Sequence, residues 1–173
     1  MGIYESPEYE IIKKEDRFEI RNYNEFYVVE YDNDSDPGIQ NGFGTLFRYI
    51  SSENRENQKI KMTVPVIEEV LGDKKKMAFF VSGKFGNRIP EPTSPNLSIR
   101  KFEGGIFAAI RYSGYSNKAK ERTMEKALSI WIKSKGYSEA SNYMLAFYNA
   151  PFSPPFLRRN EILVRLENPK NKQ

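Results

Sequence analysis

The stretch FEIRNYNEFYVVEY, residues Phe18–Tyr31, returns in outline as LSIRKFEGGIFAAIRY at Leu97–Tyr112. Both read apolar-x-Ile-Arg-x-aromatic, then a short polar break, then a run of aliphatic and aromatic residues. Alternation with branched and ring side chains predicts a strand, a tight turn and a second strand in each copy.

A helix candidate follows each copy. Ile39, Phe43, Leu46, Phe47 and Ile50 fall on one helical stripe, with Asp36 and Pro37 suited to the N-cap and N1 positions. In the second half Met124, Ala127, Leu128 and Trp131 form the equivalent stripe; Ser116 is the expected cap and Gly136 the expected C′ residue. Two strands are then expected after each helix: Lys59–Ile67 (KIKMTVPVI) and Lys76–Ser82 first, Tyr143–Phe152 and Glu161–Leu166 second. A proline interrupts the same place in both halves, Pro65 in MTVP and Pro151 in YNAP. Proline donates nothing to a sheet ladder, so each marks a bend or the end of a pairing.

The reading is therefore an α+β fold: a distorted antiparallel β-barrel or curved sheet with two helices, built from two pseudo-twofold βαββ-like halves. The halves are expected at about 9–82 and 97–167 of a single domain spanning 1–167, joined by the glycine- and proline-rich linker 83–96 and followed by a frayed tail, 168–173.

Composition narrows the chemistry. The 173 residues include neither cysteine nor histidine. That excludes zinc sites of the usual kind, thiol nucleophiles, imidazole-based catalysis and the common axial ligands of haem iron. The formal charge is +4, with basic residues dispersed among acidic ones and densest at Lys74–Lys76 and at Arg158 and Arg159. Such a balance predicts no nucleic-acid partner. No run approaches the ~20 apolar residues of a membrane span, and the start has no apolar leader core, so a cytoplasmic protein is expected.

Several motif-like patterns fail. Asp32, Asp34 and Asp36 resemble a calcium loop, but its glycine position is Pro37 and its glutamate position is Phe43. GFGTLF (Gly42–Phe47) lacks the third glycine of a dinucleotide fingerprint and lies inside a helix stripe. The sequons at Asn33 and Asn96 matter only in a secreted chain. No phosphate loop, nucleophile elbow or paired acid motif appears, so no enzymatic activity is expected.

YEIIKKEDRFEIRNY (Tyr9–Tyr23), GFGTLFRYI (Gly42–Ile50), KIKMTVPVI, IPEPTSP (Ile89–Pro95) and YNAPFSPPFLRRNEILVRL (Tyr148–Leu166) together resemble the SOUL haem-binding family over Tyr9–Glu167. The resemblance implies non-catalytic binding of haem or a related tetrapyrrole in a shallow hydrophobic site, as a carrier or buffer. It places that site between the first helix and the loop joining the last strands. It also implies a fold shared with GyrI-like sensors, whose groove takes varied ligands.

An apolar ring with two carboxylates calls for an aromatic wall with cations at its rim. Phe43, Phe47, Ile50 and Met62 are candidates for one wall. Tyr148, Phe152 and Phe156 are candidates on the proline-stiffened loop, with Arg158 and Arg159 expected to hold the carboxylates. Without histidine, the axial candidates are Tyr49, Tyr148, Met62 and Lys61, and contacts to ring and carboxylates are expected in place of ligation. Two alternatives stand beside this: a GyrI-like module for other amphipathic molecules, in which Glu161 reaches a cationic ligand, and a protein-interaction domain with no small ligand.

Overall fold

The structure, a computed structural model, describes residues 4–32, 42–72, 74–149 and 153–167. Asp34, Asp36, Pro37, Ile39, Pro151, Phe152 and the tail from 168 lie outside the described residues. Among the described residues the chain forms an α+β fold with two α-helices and antiparallel strand pairs. It divides into two compact units, one holding Glu25–Glu103 with the chain up to Pro7, the other Glu8–Asn24 with the chain from Gly104.

In the first unit β3 (Phe26–Tyr31) pairs with β5 (Lys74–Val81) on one side and β6 (Leu97–Phe102) on the other, and β5 also pairs with β4 (Val66–Leu71). Val29 opposes Phe79 and Ile99, and Tyr31 opposes Met77 and Leu97, so these side chains share one face. Helix α1 (Gly42–Ser51) lays Leu46, Tyr49 and Ile50 into the same buried cluster. On the opposite face Glu30 accepts from Arg100 at 2.8 Å and Lys76 at 3.4 Å.

In the second unit the strand order is β1 (Tyr9–Glu15), β2 (Phe18–Tyr23), β7 (Gly105–Tyr112), β9 (Asn160–Arg165) and β8 (Met144–Phe147). Ile20, Ala108, Ile110, Ile162, Val164 and Leu145 alternate onto one face and are all fully buried or nearly so. Helix α2 (Lys118–Ser134) brings Leu128, Trp131 and Ile132 against the unit's core, and Trp131 stacks on Phe18 at 5.1 Å.

The two strand-break-strand copies do not fold back as hairpins. β2 pairs with β7 and β3 with β6, so each copy sends its first and second strands to different units. The chain passes between units at Pro7–Glu8, at Asn24–Glu25 and again at Glu103–Gly104. β6 is an edge strand of the first unit and β1 an edge strand of the second.

Three local expectations change. The strand expected over Lys59–Ile67 begins only at Val66, directly after Pro65. Ahead of the proline the backbone bonds elsewhere: Ile60 N–H to Ile50 O at 2.7 Å and Val64 N–H to Glu5 O at 3.0 Å, while Thr63 donates its hydroxyl to Phe80 O. β1 had no counterpart in the periodicity, because five of its seven residues are exposed and it lies at an edge. Helix α2 is capped by Asn117, whose side chain accepts from Lys120 N–H at 2.9 Å, and not by Ser116, which bonds Tyr112 and Glu121.

At its other end Gly136 has φ +79° and completes the expected glycine stop: its N–H reaches Lys133 O, and Tyr137 N–H reaches Ile132 O. Asn117→Ala is expected to lower stability by about 1 kcal/mol in urea unfolding, and Asn117→Asp to restore most of it. Ser116→Ala would show the larger loss if Ser116 were the cap.

Candidate functional site

The expected site residues fall into both units. On α1, Phe43 is 38% and Phe47 49% exposed, although the helix buries its opposite side in the core. The spacing of four residues places both rings on one stripe. They stack with centroids 6.1 Å apart, and Phe43 meets Phe79 edge-on at 5.7 Å. Ile50 is a core residue, 7% exposed, and Met62 packs partly buried against the same cluster.

Of the axial candidates, Tyr49 is fully buried and donates its hydroxyl to Pro90 O at 2.5 Å. Burial pushes its phenol up, away from the ionised form that would best ligate a metal. Met62 is engaged in core packing, and Lys61 is exposed on the segment before β4. Among the described residues no three histidine, cysteine, aspartate or glutamate side chains gather to hold a metal ion. The exposed aromatic pair presents a flat apolar surface on α1.

In the second unit the polar side of the sheet carries a buried charge network. Glu19, Arg21 and Tyr23 of β2, Arg111 of β7 and Glu161 of β9 alternate onto the face opposite α2's apolar partners. Arg21, 1% exposed, reaches Glu161, 0% exposed, with two amino groups at 2.8 and 2.7 Å. It also bonds Glu19 at 3.1 Å and Tyr23 at 2.8 Å, and its guanidinium lies over Tyr9 at 4.4 Å. Arg159 holds the same Glu161 oxygen at 3.0 Å, and Arg111 approaches it at 3.6 Å.

Burial opposes the charge on Glu161, but hydrogen bonds and charge from Arg21, with Arg159 behind them, outweigh it and hold the carboxyl below its ordinary value. Burial likewise opposes the Arg21 cation and is outweighed by Glu161, so both members stay ionised. Glu161 is fully buried and engaged by three arginines, so its charge is met within the unit. The sequence offered Glu161 as a strand residue or as the partner of a cationic ligand, and nothing near it in the chain indicated Arg21.

Tyr148 lies beneath Arg159, with the guanidinium 3.9 Å from its ring centre, and burial followed by the Glu161 charge pushes its phenol up. Arg158 donates to Ser153 O at 2.9 Å and covers Tyr115 at 4.8 Å. Phe156 stands 78% exposed on the loop between β8 and β9. Arg158 and Arg159 both line a cavity of this unit, which the sequence could not outline because its other walls come from distant segments.

The folded-state pKa of Glu161 lies below its unfolded value, so the stabilisation from its ionised form is complete above about pH 4.5 and fades as pH falls through the folded-state pKa. Glu161→Gln is expected to cost about 3–5 kcal/mol at pH 7, since it leaves buried arginines without their shared anion. The gap between wild type and variant should narrow below pH 4.5. A gap independent of pH across this range would show that the carboxylate is not the source.

The SOUL heme-binding protein family profile matches residues 4–165. No curated protein matches the chain. Among solved structures, the EcmrR C-terminal domain aligns with TM-score 0.63 at 12% identity, covering 92% of this chain and 98% of that one. EcmrR in a DNA complex aligns with TM-score 0.63 and 12% identity over 87% of this chain but only 57% of the longer protein. A hydrolase from Listeria innocua aligns with TM-score 0.57 and 10% identity, covering 90% and 94% of the two chains. At these identities the likeness is one of fold alone. Among the described residues no helix is long and apolar enough to cross a membrane. With the family profile running over nearly its whole length, the chain belongs to the SOUL haem-binding family.

Proposed function

We propose that the protein binds haem or a related tetrapyrrole without catalysis, as a carrier or buffer. Family membership supports the ligand class. The observation that carries the reading is the stacked, half-exposed pair Phe43 and Phe47 on α1. Two large rings held against water by a helix that already fills its core present a flat apolar surface suited to a porphyrin face. Contact with the ring, and not a bond to iron, supplies the affinity.

Titration with haemin is expected to shift and saturate the Soret band at micromolar protein; no shift sinks the proposal. Phe47→Ala should weaken haemin by roughly tenfold, the worth of one aromatic contact, while leaving the thermal midpoint nearly unchanged because the ring is half-exposed.

A further inference from the structure

The second unit contains a cleft of about 530 Å³ whose walls include Arg17, Arg111, Lys120, Arg158, Arg159 and Met124. The five cations come from the β1–β2 turn, the end of β7, the first turn of α2 and the approach to β9. Arg111 N–H bonds Arg17 O at 2.9 Å, which ties the turn to the end of β7. The volume falls in the range of roughly 300–1,000 Å³ common to small-molecule sites.

Part of this charge, on Arg17 and Lys120, is not balanced from within. Arg111 and Arg159 share Glu161, which Arg21 also engages, and Arg21 additionally takes Glu19. Two carboxylates therefore serve three guanidinium groups. Among the described residues no carboxylate pairs with Arg17 or Lys120. Arg17 lies 3.9 Å from the Met124 sulfur, and Lys120 donates to Ser113 O at 2.9 Å. The carboxylate of Glu121, next to Lys120 in the chain, accepts the Ser116 hydroxyl at 2.7 Å.

Cations gathered at one cleft repel one another, and the arrangement is relieved by an anion entering from solution. Arginine forks offer paired N–H groups to two oxygens at once, and lysine adds a point charge. The cleft's composition disfavours a cation or an uncharged apolar molecule.

We infer that this cleft binds a small polyanion, a molecule carrying two or more phosphate or carboxylate groups. The inference goes beyond the tetrapyrrole reading and does not rest on it: Arg17, Arg111, Lys120 and Met124 take no part in that reading.

Calorimetric titration of the full chain with pyrophosphate and with citrate, against sulfate at matched ionic strength, tests it. Saturable binding of pyrophosphate or citrate, at least tenfold tighter than sulfate, is expected, and which of the two binds tells phosphate from carboxylate recognition. The double variant Arg17→Gln/Lys120→Gln should lose roughly a hundredfold in affinity, about tenfold for each charged contact. Its haemin titration and thermal midpoint should match wild type. If the double variant folds poorly, the two single variants carry the same test. No saturable binding, no preference over sulfate, or affinity indifferent to these substitutions would overturn the inference. Failure of haemin to bind while pyrophosphate does would remove the tetrapyrrole reading alone, and the reverse result would remove only this one.

Discussion

The bidentate pair of Arg21 and Glu161 is the contact on which the second unit depends. Taking either charge out of water alone would cost several kcal/mol, and the pair is tolerated because its lone pairs and protons are nearly all used. Arg21 belongs to β2 and Glu161 to β9, which flank β7 on its two sides. The pair therefore holds three strands in one register from above the sheet, while apolar side chains do so from below. A slip of one residue in β2 would send Arg21 into the apolar face against α2 and bring Ile20 among the charges. Both errors are costly, so the register is specified twice.

Glu30 plays a smaller version of this part in the first unit, where Arg100 and Lys76 reach it from the strands on either side of β3. Each unit thus combines a helix on one face of its sheet with a carboxylate clasped by cations on the other. The arginine shared by the two sequence copies, in FEIRNY and LSIRKF, supplies one of these cations each time. Its recurrence in the sequence has a common electrostatic cause.

Much of the fold was legible because its signals are local. Helical stripes, the glycine stop at Gly136 and the alternating runs of β3, β5, β7 and β9 each lie within a few residues of one another. Partner choice was not legible, since two adjacent strands separated by two residues read as a hairpin until their long-range partners are known. Pro65 was placed correctly as a limit to pairing, but the apolar residues before it pack into the core without joining a sheet. The α1 aromatics stood out as a helical stripe, yet only the structure separates Ile50, inside, from Phe43 and Phe47, outside. The cationic cleft was invisible for a different reason. Its members are scattered from Arg17 to Arg159, and each alone resembles an ordinary solvated side chain.

The crossed partnership of the two copies has a topological consequence. Neither half of the sequence contains a complete set of paired strands: the N-terminal half carries β2, which belongs beside β7, with β1 on its outer side, and β6 follows the linker yet completes the edge beside β3. Cutting the chain within 83–96 would not release two independent folding units. Each fragment would present an orphaned strand edge, and the fragments would regain order only by re-associating. The duplication is therefore interlocked, and contacts distant in sequence must form before either unit is whole, which favours slow, concerted assembly.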